Sequence, residues 1–118
     1  MTLCFIGSAT SNSGPCTTLK ERDDMWIYES SHNYGNSQNC ELTFTCSNHA
    51  MVSVVTDGRF DLENHNTCAY DYLQYDNGAK YCGTNGPNRY THQETTKINF
   101  HSDGSTVGYG FRIRLQCI

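Results

Sequence analysis

The sequence predicts an all-β protein: an antiparallel two-sheet β-sandwich braced by disulfides. Three observations carry that expectation. Residues 109–117 alternate, with Tyr109, Phe111, Ile113, Leu115 and Cys117 on one side and Gly110, Arg112, Arg114 and Gln116 on the other, which is the period of two of a half-buried strand. No segment sustains a helical period. Short apolar runs are separated by turn-forming Gly, Asn and Asp, the punctuation of a sandwich or jelly roll.

Taken in order, residues 1–15 read as an N-terminal extension, in which Leu3-Cys4-Phe5-Ile6 is apolar and the rest small and polar. Residues 16–118 read as the domain. Residues 20–24 form a charged turn before a short strand, Met25-Trp26-Ile27-Tyr28. Residues 30–39 have turn composition. From 41 to 46, Leu42, Phe44 and Cys46 face one way and Thr43 and Thr45 the other. Residues 51–56 are apolar and β-branched, another strand. Asp57-Gly58 is read as a turn, 72–76 as a strand ended by Asn77-Gly78, and 82–89 as a loop. Residues 97–101 give a strand with Ile98 and Phe100 inward, and 102–108 turn into the last strand. No internal repeat and no second domain are visible.

A chain of 118 residues is long enough for one domain with a real core. Its seven cysteines include no Cys-x-x-Cys pair, so they point to disulfides in an oxidising, extracellular compartment rather than to a zinc knuckle. The odd count leaves one thiol over, or one bonded to a second chain. The formal net charge of −4 argues against duplex nucleic acid as a partner, and no apolar run reaches a membrane span. The start is too short and lacks the basic region of a signal peptide, so Met1 is read as the beginning of an expressed mature fragment. No Asn-x-Ser/Thr acceptor occurs.

No nucleophile motif or phosphate loop is present, so no catalytic role is expected. His32, His49, His65, His92 and His101 show no zinc-binding spacing and read as surface or strand-edge residues. Arg112 and Arg114 read as the solvated face of the last strand, with a sulfated-glycan contact as the rival reading. Tyr72 and Tyr90 are candidate interface anchors. The stretch 60–76 is different in kind. Acidic residues flank Cys68 and an alternating strand follows, which suits a hard cation such as calcium, with its six to eight oxygen ligands.

Three pieces together resemble a CUB domain, the extracellular module of complement proteases, astacin-type proteases and spermadhesins. They are Tyr34-Gly35-Asn36-Ser37-Gln38-Asn39-Cys40; Phe60-x-Leu62-Glu63-x4-Cys68-Ala69-Tyr70-Asp71-Tyr72-Leu73 with Gly78 and Cys82-Gly83; and Phe100-His101-Ser102-Asp103-Gly104-Ser105 leading to Gly110-Phe111. The middle motif is the specific one, and the resemblance spans roughly residues 16–117. Two departures concern loop shape. Leu42 stands where the family often has Trp, and no prolines precede Tyr34.

The resemblance implies a CUB jelly roll and a Ca2+ site. Glu63, Asp71 and Asp103 would be the carboxylate ligands and Ser105 a carbonyl ligand, with Tyr34 hydrogen-bonding the ligating Glu. Carboxylates so crowded raise one another's pKa, and a divalent cation reverses that. By the same analogy Cys68 pairs with Cys82 and Cys16 with Cys40, Cys4 being the competitor for the second bridge. The sequence does not fix the pairing of Cys4, Cys46 and Cys117. The expectation adopted is a Cys4–Cys117 tie with Cys46 a buried free thiol, and its rival is a homodimer linked through Cys4 or Cys117. The function implied is non-enzymatic, calcium-dependent binding of a basic side chain on a partner protein, or of a glycan. The alternatives are a secreted single-domain lectin or adhesin and an accessory domain of an extracellular protease.

Overall fold

The computed structural model describes residues 7–11, 17–22, 25–84 and 86–118. Among them the chain forms ten strands and no helix: β1 Gly7–Ser11, β2 Thr17–Arg22, β3 Met25–Ser30, β4 Asn39–Cys46, β5 Met51–Asp61, β6 Tyr72–Tyr75, β7 Lys80–Tyr81, β8 Arg89–Gln93, β9 Thr95–His101 and β10 Gly110–Cys117. They make two five-stranded sheets, ordered β1-β4-β9-β6-β7 and β2-β3-β10-β5-β8. Every pairing is antiparallel.

The alternation seen in the sequence becomes the core. Leu42, Phe44, Leu73, Ile98 and Phe100 from the first sheet join Tyr28, Val52, Phe111, Ile113 and Leu115 from the second, and all ten are fully buried at 0% exposure. On β4, β6, β9 and β10 the alternate residues are at least partly exposed, as the outward face of a sandwich requires. Ile27 of β3 and Ser53 of β5, by contrast, are covered on the outer face of the second sheet.

Several expectations change. Asp57-Gly58 is not a turn: β5 runs through it to Asp61. Opposite it, the register with β10 jumps from Phe111↔Phe60 to Ile113↔Thr56. The additional residues bulge out of the ladder, and Gly58 takes the positive φ of 87° found there. The Arg59 Nη2 group holds the bulge by donating to the carbonyls of Ser30 at 2.8 Å and Phe111 at 3.3 Å. The charged turn placed at 20–24 is instead largely strand, since β2 continues to Arg22. Part of the N-terminal extension is strand as well, because β1 pairs with β4 from Gly7↔Cys46 to Ser11↔Leu42. After β6 the chain reverses through Asp76 and Asn77, both left-handed at φ 50° and 56°. Gly78 N–H closes the turn on Tyr75 O at 2.8 Å, a geometry whose twist suits a two-residue hairpin.

The cysteine pairing also needs correction. Cys46 is bonded to Cys117, so Cys46 is not a free thiol and Cys117 is not tied to Cys4. The reason is the layering: Cys46 ends β4 on the core side of one sheet, and Cys117 ends β10 in the other. The bridge staples sheet to sheet. It also removes Cys117 as the link of a homodimer. Cys68 and Cys82 are joined, and Cys40 is disulfide-bonded too. Its two expected candidates, Cys16 and Cys4, lie outside the described residues.

Candidate metal centre

Three loops at one end of the sandwich converge. The first leaves β5. Leu62 is buried and its N–H donates to Gly83 O at 3.0 Å, which fixes the direction of the next residue, Glu63. The second loop delivers Asp71 into β6. It folds around His65, whose carbonyl accepts from Cys68 N–H at 3.1 Å and whose Nδ1 accepts from the N–H groups of Thr67 and Ala69, each at 3.2 Å. The Cys68–Cys82 bridge anchors this loop. The third loop leaves β9 with Ser102, which is buried. Its hydroxyl donates to Gly35 O at 2.7 Å and accepts from Gln38 N–H at 2.9 Å. Asp103 follows, and its carbonyl accepts from Ser37 N–H at 2.6 Å. The Tyr34 loop and the Asp103 turn are therefore sewn together.

These loops bring one carboxylate oxygen each from Glu63, Asp71 and Asp103 within 4.8 Å of one another. Asp71 is fully buried. Its Oδ2 accepts from Tyr34 Oη–H at 2.5 Å and its Oδ1 from Asp103 N–H at 2.8 Å. Tyr34 is itself buried, edge-on to Phe100 with ring centroids 5.0 Å apart. The expected bond from Tyr34 to the Glu63 carboxylate is replaced by two others. The hydroxyl serves Asp71, and its oxygen accepts the backbone N–H of Glu63 at 3.1 Å. Tyr34 thus still ties the two acids together, through a side chain on one and the main chain on the other. Ser105 stands in the Asp103 turn, with its N–H on Asp103 Oδ1 at 3.2 Å.

Burial raises the Asp71 carboxyl above the usual carboxylate range, the Tyr34 and Asp103 N–H bonds oppose the rise, and the Asp103 charge adds to it. Glu63 is raised by lost hydration first, then by the charges of Asp103 and Asp71, with a hydroxyl bond from Thr106 opposing. Glu63 Oε1 is shielded from solvent without a hydrogen-bond partner. An anion cluster with a sequestered, unpartnered oxygen is an arrangement that a cation stabilises. All three side chains offer oxygen and none offers nitrogen or sulfur, which fits calcium rather than zinc. Beside the cluster opens a cleft of about 310 Å3, bordered by Asp61, Glu63, Asn64, Thr84 and Val107. Asp61 and Thr106 were not singled out in the sequence. Asp61 Oδ2 accepts from Tyr109 N–H at 3.1 Å, a link across 48 residues that no local pattern announces.

The family model described as CUB domain matches residues 16–115. The chain belongs to the CUB domain family. Mannan-binding lectin serine protease 1 of Mus musculus is 32% identical over 87 residues, covering 68% of this chain and 12% of that protein. Neuropilin-1 of Xenopus laevis is 33% identical over 128 residues, covering 97% of this chain and 14% of that protein. The chain therefore spans about an eighth of the length of either relative. Among solved structures, the MASP-1 CUB2 domain bound to Ca2+ superposes with a TM-score of 0.70 at 27% identity, covering 80% of this chain and 93% of that one.

Proposed function

We propose that this CUB domain is an extracellular, non-enzymatic binding module that works with Ca2+. Glu63, Asp71 and Asp103 would hold the ion, helped by the Ser105 carbonyl. The carrying observation is the convergence of the three carboxylates within 4.8 Å. The calcium-bound state of the similar MASP-1 domain supports it, as does the unpartnered Glu63 oxygen. The ion would supply charge neutralisation and order to three loops that otherwise repel one another. The same acidic side chains, fixed in place, would then accept a lysine or arginine from a partner protein. The cleft beside Glu63 gives that side chain room to approach. The disulfides support secretion. A second reading, an accessory domain of an extracellular protease, is favoured by the match to a serine protease. Glycan recognition of the lectin or adhesin kind has no observation of its own at this end of the molecule.

Titration calorimetry of the parent and of Asp71→Asn tests the metal assignment. The parent should bind calcium with a Kd of about 10⁻⁴ M or tighter, the range of extracellular modules. The variant should lose most of that affinity. Equal affinity in both would remove Asp71 from the site.

A further inference from the structure

The chain has eight Lys and Arg against twelve Asp and Glu, yet its cations are not spread evenly. Strand register places Lys20, Arg22, Arg59, Arg89, Arg112 and Arg114 on the outer face of the second sheet. On this face Arg59 and Arg112 are answered by acids: Arg59 lies 3.7 Å from Glu29, and Arg112 lies 4.0 Å from Glu29 and 3.6 Å from Asp57. The row next to them is different. It reads Lys20↔Ile27↔Arg114↔Val55↔Arg89 across five strands. Among the described residues none of its three cations forms an ion pair. Neighbouring strands lie 4.7–4.9 Å apart, so cations on alternate strands stand about 10 Å apart in a line. Between them stand Ile27, which is buried, and Val55, which is half-buried, so no acid interrupts the row.

We propose that this face binds a sulfated polysaccharide, whose chain lies across the strands over Lys20, Arg114 and Arg89. A line of separate cations fits a linear polymer with repeated anionic groups better than it fits one compact anion. Guanidinium groups match the oxygens of tetrahedral oxyanions by paired hydrogen bonds. The disulfides place the protein among extracellular polyanions. Because the overall charge is negative, attraction is confined to this face, and the polymer is held away from the acidic loops. The row lies in mid-sheet, whereas Glu63, Asp71 and Asp103 lie in loops beyond the strand ends, so glycan binding does not need calcium.

Calorimetry with a heparin oligosaccharide in 0.15 M NaCl, where the screening length is about 8 Å, tests the assignment. The triple variant Lys20→Glu/Arg89→Glu/Arg114→Glu should lose about tenfold or more in affinity, since screened charges this close still interact. Its calcium affinity should stay at the parent value, which shows that it is folded. Lys20→Arg/Arg89→Lys/Arg114→Lys should keep heparin binding, and a chelator should not change it. If the charge reversal prevents folding, the Gln variants at the same three positions replace it. Parent-like heparin affinity in a folded triple variant would overturn the proposal. So would equal binding of the desulfated oligosaccharide, or loss of binding in chelator. Capture by phosphatidylserine vesicles through the same three residues, without heparin binding, would also overturn it by assigning the face to a membrane.

Discussion

At the scale of single residues, Tyr34 decides how the acidic loops meet. Tyr34→Phe would keep the ring on Phe100 but leave Asp71 Oδ2 and Glu63 N–H without their shared partner. A hydrogen bond to a charged group contributes about 1.5–3 kcal/mol, so denaturant unfolding in chelator should show a loss of about 2 kcal/mol. Calcium affinity should fall about tenfold or more, the usual cost of removing a group that orients a ligand; unchanged affinity would separate Tyr34 from the metal. Glu63 and Asp71 carry a pH signature as well. Both carboxyls are raised in the folded chain, so the metal-free folded state binds more protons than the unfolded state over that interval. Stability from these two groups is then fully present below the unfolded carboxylate values of about 4, and it is lost as pH rises through the raised folded values. In chelator the melting temperature of the parent should therefore rise on acidification more than that of Glu63→Gln. With calcium present the trend should invert, because protons and metal compete for the same oxygens. Equal pH profiles of parent and Glu63→Gln in chelator would mean that Glu63 is not crowded. That Glu63, Asp71 and Asp103 meet was implied by the resemblance, whose motifs around Cys68 and before Gly104 are local in sequence. The partner of the Tyr34 hydroxyl was not, since it depends on how the ring packs against Phe100.

At the scale of elements, legibility followed burial. β4, β6, β9 and β10 alternate between core and solvent, so their side chains announce them. β2 and β8 are edge strands of the second sheet and contribute little to the core beyond Leu19 and Tyr90, which leaves no apolar period to read. β1 is small and polar and is held by backbone pairing to β4. The Asp57-Gly58 pair has the composition of a turn, and only the partner strand β10 shows that the chain goes straight on. The Cys46–Cys117 bridge was hidden for a related reason. Both cysteines lie at strand ends, and which two strand ends meet is a property of the sandwich, not of either strand. This bridge closes a separation of 71 residues. In the chain-entropy account such a loop contributes about 4 kcal/mol. Cys46→Ala/Cys117→Ala should lose roughly that much by denaturant unfolding. Peptide mapping after alkylation without reductant should find Cys46 and Cys117 unlabelled, even in the unfolded chain. A labelled Cys46 would restore it as a free thiol.

At the scale of the whole molecule, the sandwich is pinned at opposite ends by different means. The disulfide joins the end of β4 to the end of β10, beside the start of β5, where Val52 pairs with Cys117. The acidic cluster begins just after β5 ends, roughly 23 Å away along β10, which pairs from Cys117↔Val52 to Gly110↔Asp61 at about 3.3 Å per residue. It too joins sheet to sheet, since Glu63 follows a strand of the second sheet while Asp71 and Asp103 flank strands of the first. One pin is covalent. The other, on the proposed reading, depends on calcium, which stabilises by mass action only while bound. At an ion concentration ten times a Kd of about 10⁻⁴ M, the stabilisation is about 1.4 kcal/mol, or several degrees in melting temperature for a domain of this size. Chelation should therefore loosen one end and not the other. The amides to follow are Leu62 on Gly83 O and Ser37 on Asp103 O at the acidic end, against Met51 and Ile118, which exchange hydrogen bonds with each other beside the disulfide. Hydrogen exchange followed by mass spectrometry should show faster exchange of the first pair in chelator and little change in the second, because local opening costs less than global unfolding. A uniform acceleration over all four would mean that calcium acts on the whole fold rather than on its loop end. No change at Leu62 and Ser37 would mean that the three carboxylates hold their loops without an ion.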